Sequence, residues 1–328
     1  MRIGKLSDDQ LRQLVLGSLP RVRGEVLLRP GTGVDCGALR VGEMAVVAST
    51  DPITAGGSSA GALSIHVSAN DVAAAGAEPM GVFLTVLAPP DCGDEELERA
   101  VRDAAVTAAG LRMEIIGGHT EVTDAVNRIV LSTTVLGLAP AARLLSAAGG
   151  RPGMELVLTK WAALEGTMIL AKERGTELGL TPAQLAEAES LAERISVVPE
   201  GRIAADFGAA AMHDATEGGV LGAAWELASA SGCGLELYPD RIPLLALTEE
   251  ICGRLGLDPL RLIASGSLLI AVADGRGLVE ALAGAGIPAA VIGRLLPGRE
   301  RILVRDGARL PLEPPGADEL YRALGGAV

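Results

Sequence analysis

Residues 137–153 read GLAPAARLLSAAGGRPG. A passage so rich in glycine, proline and alanine breaks the pattern of the chain around it and marks a boundary between two domains. Before it, Met44–Ser49 (MAVVAS) is a short β-branched run of the buried-strand type. Leu63–Ala75 has helical character and stops at Gly76, a natural residue for a helix C-terminus. Gly81–Ala88 reads as a strand closed by Pro89-Pro90. Asp94–Ala109 places Leu97, Val101, Ala104, Ala105 and Ala108 on one helical face. Strands are expected at Met113–Ile116 and Ile129–Leu138.

Beyond the boundary the alternation restarts. Strands are expected at Glu155–Thr159, Ala209–Met212, Leu235–Tyr238, Ser267–Val272, Val291–Leu295 and Ile302–Val304. Helices are expected at Leu164–Lys172, Ala183–Arg194, Val220–Ala230, Leu247–Leu255 and Leu278–Ala283. The expected fold class is therefore α/β (of the α+β type), as two tandem domains over residues 1–140 and 150–328. A length of 328 residues suits two cores better than one. Aromatics are only 2% of the chain, so alanine, valine, leucine and isoleucine must fill those cores.

Charge and motifs narrow the function. A net charge of −13 argues against nucleic acid, which is held by clustered lysine and arginine. The N-terminus lacks the apolar core of a signal peptide, and no run approaches 18 apolar residues, so no membrane partner is expected and the cytoplasm is the expected location. Cys36, Cys92, Cys233 and Cys252 form no CxxC pair and read as reduced thiols. HxH, HExxH and GxxxxGK[ST] are all absent.

What remains is a recurring placement of aspartates beside small residues. Asp35 lies in GTGVDCGA (31–38), and Asp51 follows the strand MAVVAS. Asp71 sits among alanines in SIHVSANDVAAAGAEP (64–79), and Asp214 ends the strand AAAM (209–212) in HDATEGG (213–219). Each has an ordinary reading as a turn, cap or solvated position. Converged carboxylates would repel by roughly 4 kcal/mol per pair at 4 Å and an effective dielectric of 20, so a cation would have to stand between them. Oxygen donors alone favour Mg²⁺ or Ca²⁺. The glycines of GTGVDCG and the Gly218-Gly219 pair before a helix can present N–H groups to phosphate. GGHTEVTDA (117–125) reads as a strand-end loop facing those phosphates. His66 reads as structural, whereas His119 and His213 stand at strand ends beside acids.

At HDATEGGVLGA (213–223), NDVAAAGAEP (70–79), STDPI (49–53) and GGHTEVT (117–123) the sequence resembles the aminoimidazole ribonucleotide synthetase family. That family also contains the selenophosphate synthetases, the thiamine-monophosphate kinases and the hydrogenase maturation protein HypE. The resemblance runs from Lys5 to Val304. LTKWAALEGTMILA (158–171) and SGSLLIAV (265–272) bring it nearest to HypE and HypE-like proteins. It implies a domain pair in which the N-terminal domains form a homodimer, their strands making a shared barrel with ATP near the interface.

By the same resemblance, ATP and Mg²⁺ are the cofactors, and Asp35, Asp51 and Asp71 hold the metal and the phosphates. Asn70, Gly37, Thr120, Glu121, Gly218 and Gly219 join the nucleotide site, while Asp71, His119 and Asp214 carry the chemistry. The position of His119 varies among branches of the family, which leaves its role open. The implied activity is phosphoryl transfer to a carbonyl or amide oxygen of a small molecule or partner protein, followed by dehydration or ring closure. A small-molecule kinase of the thiamine-phosphate type and a nucleotide-binding accessory protein are the alternatives. Two departures stand out. This sequence ends ELYRALGGAV with Cys252 as its last cysteine, so the terminal cysteine on which HypE acts is not expected here. Cys36 lies near the catalytic position of the selenium branch, but without that branch's surrounding pattern.

Overall fold

A computed structural model describes residues 6, 8–31, 33–54 and 60–325. Lys5, where the resemblance begins, and Thr32 of the glycine-rich loop lie outside the described residues. The chain forms two compact bodies. One comprises Arg23–Arg29 and Asp35–Leu144; the other takes Pro30–Val34 and everything from Leu145 onward. The N-terminal stretch up to Val22, with its short helix α1 (Asp8–Gln10), groups with the second body rather than with the sheet that follows it in sequence.

The first body contains β1 (Val26–Leu28), β2 (Gly37–Val41), β3 (Met44–Ile53), α2 (Ala60–Ala74), β4 (Glu78–Ala88), α3 (Asp94–Gly110), β5 (Glu114–Val122) and β6 (Val130–Pro140). The strands form one sheet in the order β1-β2-β3-β6-β4-β5, antiparallel except for the parallel β4–β5 pair. Period-two burial decides which face is covered. Ala45, Val47 and Ser49 of β3, Leu131, Thr133 and Val135 of β6, and Val82, Leu84 and Val86 of β4 are buried. α2 packs over these strands, and α3 packs against α2. The opposite face carries Leu39, Val41, Met44 and Phe83, all well exposed.

Two strands run further than local pattern indicates. β3 continues through Asp51, so that residue lies inside the strand, where it pairs with Thr133. β5 continues past Ile116 through Val122, so the whole GGHTEV stretch (117–122) is edge strand and not loop. Gly118 makes this possible: it has a φ of 151°, and a Cβ there would meet the Leu84 carbonyl oxygen at 1.8 Å. β1 and β2, short and half exposed, carry too little apolar pattern to be read from sequence.

The second body contains β7 (Glu155–Thr159), α4 (Leu164–Arg174), α5 (Pro182–Ser190), α6 (Val198–Phe207), β8 (Ala211–Ala215), α7 (Gly219–Ala230), β9 (Gly234–Leu237), α8 (Ala246–Leu255), β10 (Ser267–Val272), α9 (Gly275–Gly284), β11 (Ala289–Leu296), β12 (Arg301–Arg305), β13 (Ala308–Pro311) and α10 (Glu319–Ala323). Its sheet order is β13-β12-β9-β11-β7-β10-β8, antiparallel except for β12–β9. A core of Leu156, Leu158, Val220, Leu227, Leu235 and Leu269 joins the sheet to α7. A second cluster, including Leu170, Ile251 and Leu262, joins α4 to α8. β8 runs through Asp214 and Ala215, past the expected stop at Met212, because residues 211–215 pair with β10. The stretch 198–207 folds as a helix that the apolar pattern does not single out. No helix among the described residues is long and apolar enough to cross a membrane. Two mixed α/β bodies in tandem is the expected architecture.

Candidate active site

In the N-terminal body, β3 and α2 bring two of the expected carboxylates together. Ser49 and Asp51 stand two residues apart on β3, so both face α2. Asp71 comes from the last turn of α2 and is 6% exposed. The Ser49 hydroxyl lies 2.5 Å from Asp71 Oδ2, 3.3 Å from Asp51 Oδ2 and 3.2 Å from the Asp35 carbonyl oxygen. One hydroxyl has one proton, so it cannot fully satisfy three acceptors. The Ser68 hydroxyl lies 3.4 Å from Asp51 Oδ2 and 3.0 Å from the Thr133 hydroxyl, which itself donates to the Ser64 carbonyl at 2.5 Å. Oxygen atoms thus crowd a largely buried spot. This donor set fits a hard divalent cation, which prefers carboxylate and carbonyl oxygens.

The other expected residues of this body divide. Asn70 is fully buried beside Asp71 on α2. Gly37 opens β2 and pairs with Ala48, next to Ser49. His119, Thr120 and Glu121 lie on β5, all exposed, with His119 Nε2 3.4 Å from Glu121 Oε2. Asp51, Thr133, Leu84 and Gly118 are in register across four strands, which puts His119 about 14 Å from Asp51 at ordinary strand spacing. Its register partner Thr85 lies between the buried Leu84 and Val86, so His119 belongs to the open face and Asp51 to the covered one. Within one chain, His119 and Glu121 are not brought to the Asp51–Asp71 pair.

In the C-terminal body, HDATEGG spans the end of β8 and the turn into α7. His213 and Asp214 are buried at 3% and 1% exposure. His213 Nε2 lies 2.8 Å from Glu226 Oε2; a carboxylate only accepts, so Nε2 carries the proton. Both glycine N–H groups are bonded within the chain. The Gly218 N–H donates to Asp318 Oδ2 at 2.7 Å, and the Gly219 N–H donates to the Thr216 carbonyl at 3.0 Å. Gly219 is needed for close approach: its φ is 66°, and a Cβ would meet the Leu260 carbonyl oxygen at 2.5 Å.

Asp318 also accepts from the N–H groups of Ile263 at 3.2 Å and Leu320 at 2.8 Å. Burial pushes its carboxyl up, opposed by those three donors. Glu165, at the start of α4, is buried, and burial raises its carboxyl to about 7 against hydrogen bonds from Ser265. Lys160 of the LTK stretch is spent internally: its ammonium lies 2.5 Å from Glu200 and donates to the carbonyls of Arg194 and Ser196. Burial lowers its pKa and the Glu200 charge opposes that.

Ser49, Glu165 and Asp318 escaped the sequence reading. Ser49 was legible, because it stands two residues before Asp51 on a strand and must share its face. Asp318 carried the signal of an N-cap, preceding the helical ELYRA, but its partner Gly218 is 100 residues away. Glu165 is an acid among apolar residues at a helix start, the same signal that drew attention to Asp71.

The domain families described as AIR synthase related protein, N-terminal domain and C-terminal domain match residues 33–139 and 151–305. Carbamoyl dehydratase HypE of Cupriavidus necator is 30% identical over 267 residues, 78% of this chain and 74% of that protein. A putative hydrogenase expression/formation protein of Methanocaldococcus jannaschii is 28% identical over 277 residues, 82% of this chain and 80% of that protein. Among solved structures, Escherichia coli HypE superposes with a TM-score of 0.76 at 28% identity, covering 85% of this chain and 88% of that one. HypE in complex with ATP (TM-score 0.69, 21% identity, covering 97% of each chain) shares the fold. So does AaThiL complexed with AMPPCP and TMP (0.72, 19%, covering 87% of this chain and 91% of that one).

Proposed function

The chain belongs to the AIR synthase related family, and on that premise we propose that it is a HypE-like enzyme that uses ATP and Mg²⁺ to activate a carbonyl or amide oxygen by phosphoryl transfer. The observation that carries the reading is the single Ser49 hydroxyl shared by Asp51 and Asp71. Two carboxylates fixed around one proton repel each other unless a cation neutralises them. Asp51 and Asp71, with Asp35 beside them, would hold Mg²⁺, which supplies charge neutralisation for the nucleotide phosphates. Phosphoryl transfer needs positioning and neutral surroundings more than covalent help, and rigid β3 and α2 supply the positioning. Asn70 and Gly37 adjoin the same spot. Asp214, with the turn at Gly218 and Gly219, serves the substrate end.

We assign the homodimer to the open face of the N-terminal sheet, where Leu39, Val41, Met44 and Phe83 are exposed. His119, Thr120 and Glu121 lie on the strand at the edge of that sheet, so their part in the chemistry depends on a second copy. The HypE complexed with ATP and the carbamoyl dehydratase relatives support a dehydrating reaction on a carbamoyl-type group. The AaThiL neighbour complexed with AMPPCP and TMP supports the alternative of a small-molecule kinase.

The test is nucleotide binding and turnover. Titration calorimetry should detect MgATP binding to the purified protein, and a carbamoyl compound should raise phosphate release. A phosphorylated product without free phosphate selects the kinase. Binding without turnover, together with a stable partner protein, selects the accessory role. No binding at millimolar MgATP rejects the proposal.

A further inference from the structure

Three hydroxyl side chains lie buried beside the Asp51–Asp71 pair: Ser49 on β3, Ser68 on α2 and Thr133 on β6. A buried O–H must donate to something, and each hydroxyl has one proton. Thr133 is committed: it donates to the Ser64 carbonyl at 2.5 Å, so its oxygen accepts from Ser68 at 3.0 Å. Ser68 has a choice. Its acceptors are the Thr133 hydroxyl, the Thr133 carbonyl at 3.3 Å and Asp51 Oδ2 at 3.4 Å. Ser49 has a choice as well. Asp71 Oδ2 lies 2.5 Å away, and the Asp35 carbonyl oxygen, in the turn that precedes β2, lies 3.2 Å away.

The two acceptors of Ser49 differ in charge. Without a cation its proton belongs on Asp71, because that distance is the shorter and a charged acceptor binds about twice as strongly as a neutral one. The hydrogen end of the O–H dipole then points at the carboxylates. A divalent cation held by Asp51 and Asp71 reverses the preference, since it repels that hydrogen and attracts the oxygen lone pairs. A buried hydroxyl with nowhere else to donate would oppose the change, because its proton would be left without a partner. The Asp35 carbonyl removes that cost for Ser49, and rotation of the O–H bond reaches it without moving the backbone.

We infer that Ser49 is a positioning residue with two settings: its proton lies on Asp71 in the cation-free protein and on the Asp35 carbonyl when a divalent cation is bound. Cation binding thereby fastens the Asp35 backbone to β3. Ser68, with Thr133 as its second acceptor, releases Asp51 in the same way. No group changes its charge in the exchange. The inference deepens the proposed function and rests on it for the cation, whatever reaction the protein carries out.

The experiment measures cation binding to the full chain without nucleotide, Mn²⁺ by electron paramagnetic resonance and Mg²⁺ by calorimetry. Ser49→Ala removes a bond to a charged acceptor from the free protein. From the bound protein it removes only a bond to a neutral carbonyl, on a residue exposed to water. The variant should therefore bind the cation about tenfold more tightly, the difference between the two kinds of hydrogen bond. Ser49→Thr, which keeps the hydroxyl, should return the wild-type affinity. Ser68→Ala should tighten binding by no more than about threefold, because Asp51 is its farthest acceptor. In protein carrying ¹³C at its aspartate backbone carbonyls, Mg²⁺ should lower one carbonyl stretching frequency in the wild type and not in Ser49→Ala.

A hydroxyl that only braces Asp71 predicts the opposite sign, so unchanged or weaker cation binding by Ser49→Ala would overturn the inference. A carbonyl shift that survives in Ser49→Ala would do the same. Should that variant not fold, the wild type alone decides, and a labelled carbonyl that ignores Mg²⁺ overturns the inference. No cation binding by the wild type at millimolar Mn²⁺ rejects the proposed Mg²⁺ site and the inference together. Cation binding without ATP turnover rejects the phosphoryl-transfer reading alone, while the affinities and the carbonyl band still report on Ser49.

Discussion

In the N-terminal body, Asp51 and Asp71 share the proton of Ser49. In the C-terminal body, Asp318 receives three backbone N–H groups and Glu200 lies 2.5 Å from the Lys160 ammonium. Buried carboxylates occur in both, with opposite provision for their charge. Where donors are supplied, the carboxylate acts as a strut, and its loss unfolds the neighbourhood. Where two carboxylates meet at one hydroxyl, our proposal gives them to a ligand, and the loss of one should cost binding. Glu165 stands between the two cases: it lies in the well-provided body, yet one of its oxygens is left over.

The comparison breaks most visibly at the strut. Lys160→Met removes the cation held 2.5 Å from Glu200 and leaves a buried charge without it, so stability should fall by about 3–5 kcal/mol in urea unfolding. A loss below about 1 kcal/mol would mean that the pair is not structural.

Glu165 sharpens the middle case through pH. Its folded value is raised to about 7 from an ordinary 4.5, so the folded protein binds this proton more tightly than the unfolded chain does. The stability contributed by that proton is whole below about 4.5 and is lost as pH rises through about 7, by on the order of 3 kcal/mol. Glu165→Gln should be free of this loss. Unfolding free energies of the two proteins, compared from about pH 5 to pH 8, should therefore diverge in favour of the variant. Parallel curves would remove Glu165 from the neutral-pH group.

At the Asp51–Asp71 pair the expected sign reverses between binding and stability. Asp71→Asn takes one charge from a crowded pair, so the free protein should keep or gain stability while MgATP affinity falls by about tenfold or more. Unchanged nucleotide affinity would take Asp71 out of the site. The smallest effect belongs to the exposed edge. His119, whose side chain is 65% exposed in its pair with Glu121, should change monomer stability by no more than about 0.5 kcal/mol when replaced by alanine. A larger loss that appears only at concentrations where the protein is dimeric would instead place His119 at the interface.

Periodicity made the cores legible. β7, β10, α3 and α7 fall where the apolar spacing puts them, because each buries a face whose pattern is local. The strand ends were less legible. β5 runs through His119 because β4 pairs with it, and a parallel partner about 35 residues away leaves no mark on the local sequence. The site was half legible. Aspartates among alanines drew attention to Asp71 and Asp51, and Ser49 joins them by strand alternation. The direction of His119 was hidden, since the face of an edge strand follows from register and not from composition. The glycines of HDATEGG were read as anion donors, yet their N–H groups go to Asp318 and Thr216, acceptors that the motif alone only half contains.

The bond from Gly218 to Asp318 spans 100 residues. A chain made from its N-terminus completes the HDATEGG turn long before the residue that anchors it exists. α7 and β9 must then assemble around a turn whose N–H is still bonded to water. Closing so long a loop is an entropic cost met late, when the last helix docks. The order of synthesis thus leaves the HDATEGG turn without this anchor until Asp318 has been made.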